Sequence, residues 1–114
     1  MNLKEEIKSE IKDHAQRVSP EECCGLLVEL EDSGEIKIIE CKNIAEDKEN
    51  LFRISVEEYL SALSEGDIYA VYHSHTKGEN SFSSADKTIS DSLELRSILY
   101  NLSTGVFETL EPKA

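Results

Sequence analysis

The fold is decided by the segment Ile68-Tyr69-Ala70-Val71-Tyr72-His73-Ser74-His75, an apolar run that leads directly into two histidines. β-Branched and aromatic residues in such a run predict a strand. Residues two apart on a strand project from the same face, so His73 and His75 can point at one site. Imidazole is a common zinc ligand, and a catalytic zinc takes three protein ligands and a water. Taken alone, however, the pair is equally typical of two unrelated surface histidines.

The chain before this strand predicts a helix followed by a hairpin. Apolar residues recur three and four apart over residues 3–17, which indicates an amphipathic helix that ends at Ser19-Pro20. Short apolar runs at residues 24–28 and 35–41 predict two strands. The turn-forming residues 32–34 lie between them, so the two strands are expected to pair as a hairpin.

The rest of the chain predicts further short elements. Residues 51–54 are expected to form a strand, and the capping box Ser55-Val56-Glu57-Glu58 opens a helix through about Leu63. A further helix is expected to begin near Ser83. Two short strands finish the chain, at residues 97–100 and 106–110. This order predicts an α+β fold, with a mixed β-sheet flanked by two to three helices, as a single domain over residues 1–114.

Composition narrows the classes of partner. The chain has 12 basic and 24 acidic side chains and a net charge of −12, which argues against a nucleic-acid partner because phosphates repel such a surface. No apolar run approaches the roughly 20 residues that span a bilayer, so no membrane partner is expected. Three cysteines, with Cys23 and Cys24 adjacent, do not suggest a disulfide framework. The expected location is therefore the cytoplasm, of the cell or of an infected host cell.

A third metal ligand is expected near the two histidines. Asp86 lies eleven residues after His75, at the start of the predicted helix, and Ser83 lies three residues before it. Ser83 and Asp86 also fit a helix N-terminus, where acidic and capping residues are common for reasons unrelated to metals. Only in combination with the histidine pair does the carboxylate of Asp86 become a candidate ligand.

The pattern of His73-x-His75, seven residues, then Ser83-x-x-Asp86 resembles the signature of the JAMM metallopeptidases, the catalytic branch of the MPN domain superfamily. Further upstream, residues 20–27 resemble the segment of that family in which a glutamate, here Glu22, precedes a strand. Two smaller fragments match in the same order, Asn43-x-Ala45 and Phe52-x-Ile54. The resemblance thus covers nearly the whole chain.

The resemblance implies a role for each matching residue. One zinc per chain would be bound by His73, His75 and Asp86, with Glu22 as general base and Ser83 donating a hydrogen bond to the tetrahedral intermediate. The implied activity is hydrolysis of a peptide or isopeptide bond. One position departs from the family pattern, because Thr76 follows the second histidine where proline is usual, and this departure concerns the shape of the loop.

Within the family, the chain looks most like the N-terminal domain of phage tail assembly proteins and like bacterial JAMM peptidases. The implied partner is a protein or peptide substrate, either a phage tail protein or a ubiquitin-like protein. An alternative is a phage tail assembly or structural binding module, in which the zinc stabilises the fold without turnover. That alternative would need a cysteine as fourth ligand, whereas Cys23, Cys24 and Cys41 are typical of small buried apolar residues.

Overall fold

The structure is a computed structural model that describes residues 3–77 and 94–112. This part of the chain forms helices and strands in the order α1 (Glu5–Val18), β1 (Cys24–Leu30), β2 (Ile36–Cys41), α2 (Val56–Leu63), β3 (Gly66–His75), β4 (Ser97–Asn101) and β5 (Val106–Leu110). The predicted α+β class is confirmed. Among the described residues, no helix is long and apolar enough to cross a membrane.

All five strands lie in one mixed sheet with the order β2-β1-β3-β4-β5. The predicted hairpin is confirmed, since β1 and β2 pair antiparallel. β1 also pairs antiparallel with β3, with Cys24 opposite His73, and β3 pairs in parallel with β4. The histidine strand is therefore the central strand, with a neighbour on each side.

Each face of the sheet is covered by one described helix. On one face, Ile7 and Ile11 of α1 pack with Tyr72 and other buried residues of the sheet. On the other face, Ala62 of α2 packs with Val71 and its neighbours. Because successive residues of a strand project to opposite faces, Tyr72 points towards α1, while Val71 and His73 point towards the side of α2.

One predicted strand and one predicted strand boundary need correction. The prediction of a strand at residues 51–54 is wrong, because this segment is irregular. The carbonyl of Leu51 and the N–H of Arg53 both bond to the side chain of Asn43, so these two backbone groups do not pair with a neighbouring strand. The histidine strand also begins earlier than expected, at Gly66. The helix predicted near Ser83 lies outside the described residues.

The helix that follows the irregular loop begins as predicted. The hydroxyl oxygen of Ser55 accepts a hydrogen bond from the N–H of Glu58 at 3.1 Å, which satisfies one of the N–H groups that the first turn of a helix leaves without an intrahelical partner. The capping box therefore fixes the N-terminus of α2 close to the loop that borders the histidines.

Candidate metal centre

The sheet register brings Glu22 next to the two histidines. Cys24 pairs with His73 across the antiparallel β1 and β3, and the pairing continues past the end of β1, since the N–H of Ser74 donates to the carbonyl of Cys23 at 3.1 Å. One residue further along this register, Glu22 lies opposite His75. A separation of about fifty residues in sequence is thus closed by pairing two strands.

Glu22, His73 and His75 form one cluster, and each contributes a potential metal-binding atom that lies within 4.8 Å of the others. Nε2 of His75 and Oε2 of Glu22 are 4.0 Å apart. The two imidazole rings have centroids 5.1 Å apart and planes inclined by 64°. Two imidazoles and a carboxylate are a donor set that suits zinc and similar transition metals.

The three side chains of the cluster are largely buried, and they differ in their exposure to solvent. His73 is fully buried and the side chain of Glu22 is only 6% exposed, whereas that of His75 is 13% exposed. Among the three, His75 is therefore the most accessible to solvent. Because His73 and Glu22 are buried away from water, electrostatic interactions of these side chains are stronger than they would be on the surface.

An aromatic ring holds His73 from behind. Phe52 stacks on the imidazole with a centroid distance of 4.4 Å and an interplanar angle of 17°. Phe52 also lines an apolar groove of about 360 Å³ together with Ile54, Tyr59 and Val71. The irregular conformation of residues 51–54 thus places a ring against His73 of β3, which a strand prediction did not anticipate.

Two hydroxyl groups, one on β3 and one on the residue that follows it, hold the segment that carries Glu22. The hydroxyl of Ser74, between the histidines, accepts a buried hydrogen bond from the N–H of Cys23 at 2.8 Å. The hydroxyl of Thr76 donates to the carbonyl of Pro20 at 3.2 Å. Proline has no donor with which to make this bond, so the departure from the family pattern at Thr76 adds a contact to the Glu22 segment.

The cysteines take no part in the cluster. All three are free and buried thiols, as expected, and the group of converging ligands found among the described residues contains none of them. Burial raises the pKa of Cys23 to about 11 and that of Cys41 to about 12, and it raises the pKa of Cys24 as well. Metal ligation requires the thiolate, which is scarce at neutral pH in such surroundings.

His14 is the remaining histidine, and it lies on the buried face of α1. Its Nδ1 is 2.8 Å from the hydroxyl oxygen of Tyr72, and its Nε2 is 4.0 Å from the carboxylate of Glu40. Burial lowers the pKa of His14, although the charge of Glu40 acts in the opposite direction. A buried imidazole hydrogen-bonded to Tyr72 explains this residue without a metal.

The structure brings together three of the five residues to which the sequence assigned roles. Glu22, His73 and His75 meet in one cluster. Ser83 and Asp86 lie outside the described residues, so their roles stay predictions.

Comparison with known proteins finds a matching family and a related protein. Residues 4–106 match the family described as prokaryotic homologs of the JAB domain. The tail tip assembly protein K of Escherichia phage N15 is 28% identical over 103 residues, which cover 90% of this chain and 42% of that protein. The chain thus spans less than half the length of this relative.

Two solved structures resemble this chain. A protein from Desulfitobacterium hafniense superposes with a TM-score of 0.71 at 19% identity, over 97% of this chain and 90% of that one. A protein from Salinibacter ruber superposes with a TM-score of 0.58 at 20% identity, over 95% and 77% of the two chains. At such identities the likeness concerns the fold alone.

Proposed function

Because this chain belongs to the prokaryotic homologs of the JAB domain, we propose that it is a zinc-dependent metallopeptidase that hydrolyses a peptide or isopeptide bond. His73, His75 and Asp86 hold the zinc, Glu22 is the general base and Ser83 stabilises the oxyanion. The observation that supports this proposal best is the partly buried cluster of Glu22, His73 and His75, whose potential ligand atoms lie within 4.8 Å of one another.

The spacing within the cluster is compatible with Glu22 as a base beside the metal. Two ligands held at about 2.0–2.1 Å by a tetrahedral zinc lie roughly 3.4 Å apart. The distance from Nε2 of His75 to Oε2 of Glu22 is 4.0 Å, which is wider than this. Glu22 then lies beside the metal position, where a carboxylate can take a proton from the attacking water.

When bound, zinc would supply Lewis-acid activation of the water and of the scissile carbonyl. Glu22 accepts a proton as the water oxygen attacks the carbonyl carbon, and it returns that proton to the amine nitrogen as the C–N bond breaks. Ser83 donates a hydrogen bond to the oxyanion formed in between. The partly exposed edge of His75 gives the substrate access, and the stacking of Phe52 on His73 fixes the ring of the deeper ligand.

The proposed substrate is the flexible segment of a protein, either a phage tail protein or a ubiquitin-like protein. The net charge of −12 disfavours nucleic acid. A second candidate function is a binding module in phage tail assembly, without turnover. The observation that favours it is the match to a protein named for tail tip assembly.

The test combines metal content with cleavage. The purified protein should hold about one zinc per chain, and it should cleave a ubiquitin-like fusion or a tail protein in a zinc-dependent manner. His75→Ala should lose both zinc and cleavage, whereas His14→Gln, a matched control at a histidine outside the cluster, should keep both. Stoichiometric zinc with specific binding of a tail protein and no cleavage would favour the binding module instead.

A further inference from the structure

The side chain of Asn43 lies at the centre of the hydrogen bonds around Glu22. Its Nδ2 donates to the carbonyl oxygens of Glu22 and Leu51, each at 3.0 Å. Its Oδ1 accepts from the N–H groups of Ala45 at 3.0 Å and Arg53 at 3.2 Å. Because carbonyl oxygens lie around Nδ2 and N–H groups lie around Oδ1, the partners fix the orientation of this buried amide.

These bonds link Glu22 to the wall behind His73. Leu51 and Arg53, which Asn43 binds, are the residues on either side of Phe52, whose ring stacks on His73. The same loop binds Glu22 a second time, because the N–H of Glu22 donates to the carbonyl of Lys48 at 2.7 Å. One buried side chain therefore connects the backbone of Glu22 to a loop that is anchored on the other side of the cluster.

We infer that Asn43 is a positioning residue that holds the carboxylate of Glu22 in place against His73 and His75. The inference rests on the proposed function, in which Glu22 acts at the metal. Glu22 precedes β1, and both of its backbone groups bond to Asn43 or to the loop that Asn43 organises. Without the side-chain amide, this segment can shift relative to the histidines while the sheet stays intact.

Cobalt(II) provides a measurement that does not depend on a substrate. It replaces zinc in sites of this kind, and its visible absorption reports the groups around the ion. Binding of cobalt is titrated in the full chain as wild type, Asn43→Ala, Glu22→Ala and the double variant, which form a double-mutant cycle. Asn50→Ala is the matched control, because Asn50 lies in the same loop and its exposed amide bonds only to Asp47 among the described residues.

Asn43→Ala is expected to leave the stoichiometry of cobalt binding unchanged, because neither Asn43 nor Glu22 is a ligand in the proposed function, and to shift the absorption of the bound ion in the same direction as Glu22→Ala. In the Glu22→Ala background, removing Asn43 should leave the absorption unchanged, because the group that Asn43 positions is absent. Asn50→Ala should bind like wild type. If Asn43→Ala does not fold, Asn43→Asp takes its place, because it keeps the acceptor for Ala45 and Arg53 and loses the donor to Glu22.

An equal shift of the absorption in both backgrounds would overturn the inference, because a merely structural residue acts regardless of Glu22. Unchanged cobalt binding and absorption in a folded Asn43 variant would overturn it as well. If the wild-type protein bound no cobalt and no zinc, the proposed function would fail, and this inference with it. A metal-binding wild type with an additive cycle would leave the proposed function standing and remove only the role of Asn43.

Discussion

Replacing Ser74 by alanine removes a hydrogen bond from the middle of the histidine strand. The hydroxyl of Ser74 is fully buried and accepts from the N–H of Cys23 at 2.8 Å, next to Glu22 in sequence. A buried N–H left without a partner costs about 1–3 kcal/mol, which for a domain of this size corresponds to a fall in Tm of roughly 4–13 °C. We expect the loss of unfolding free energy and the fall in Tm of Ser74→Ala to lie in these ranges when measured by urea and thermal unfolding.

Ser33→Ala provides the matched control. The hydroxyl of Ser33 also accepts a hydrogen bond from a backbone N–H, that of Glu35, but at 3.3 Å and in an exposed turn. Water can replace it there, so the loss should stay within about 0.5 kcal/mol. Ser74→Thr keeps the hydroxyl and should recover much of the stability. Equal losses for Ser74→Ala and Ser33→Ala would refute the argument that burial of the bond to Cys23 sets the cost.

Two further predictions concern groups on either side of the sheet. The pKa of His14 is lower in the folded protein than in the unfolded chain, so below pH about 6.5 the unfolded chain binds a proton that folded His14 does not. The free energy of unfolding of the wild type should therefore fall as the pH falls from about 7.5 to 5.5. In urea unfolding, His14→Gln should show a weaker dependence of this free energy on pH. An equally steep pH dependence in that variant would contradict this. Cys24→Ser should keep the full zinc content, because the thiol of Cys24 is buried and lies outside the cluster. The free energy of unfolding should fall by about 1–3 kcal/mol. Release of zinc, measured by elemental analysis, would instead identify a cysteine ligand.

Local patterns predicted the parts of the fold that depend on neighbouring residues. The two short apolar runs on either side of the turn at residues 32–34 predicted the hairpin, and the serine–glutamate spacing predicted the start of α2. The period of two along a strand predicted that the side chains of His73 and His75 project from the same face, and the two rings do lie close together.

Contacts between distant segments were beyond such patterns. Residues 51–54 have a strand-like composition, but their backbone groups bond to the side chain of Asn43, which no local signal reveals. The proximity of Glu22 to His75 depends on the register of β1 and β3, so only the family resemblance suggested it. The bond from Thr76 to Pro20 likewise joins segments that meet only in the folded sheet.

Glu22→Gln, compared with Glu21→Gln, tests the proposed chemistry at its decisive group. Glu22 is buried beside His75, whereas Glu21 is exposed, and both changes replace a carboxylate by an amide of the same shape. We predict that both variants keep stoichiometric zinc, that Glu21→Gln cleaves like wild type, and that cleavage by Glu22→Gln falls by about 10² to 10⁴. A zinc-loaded Glu22→Gln protein with near-normal cleavage would contradict the general-base role, and loss of zinc from it would show that Glu22 is a metal ligand.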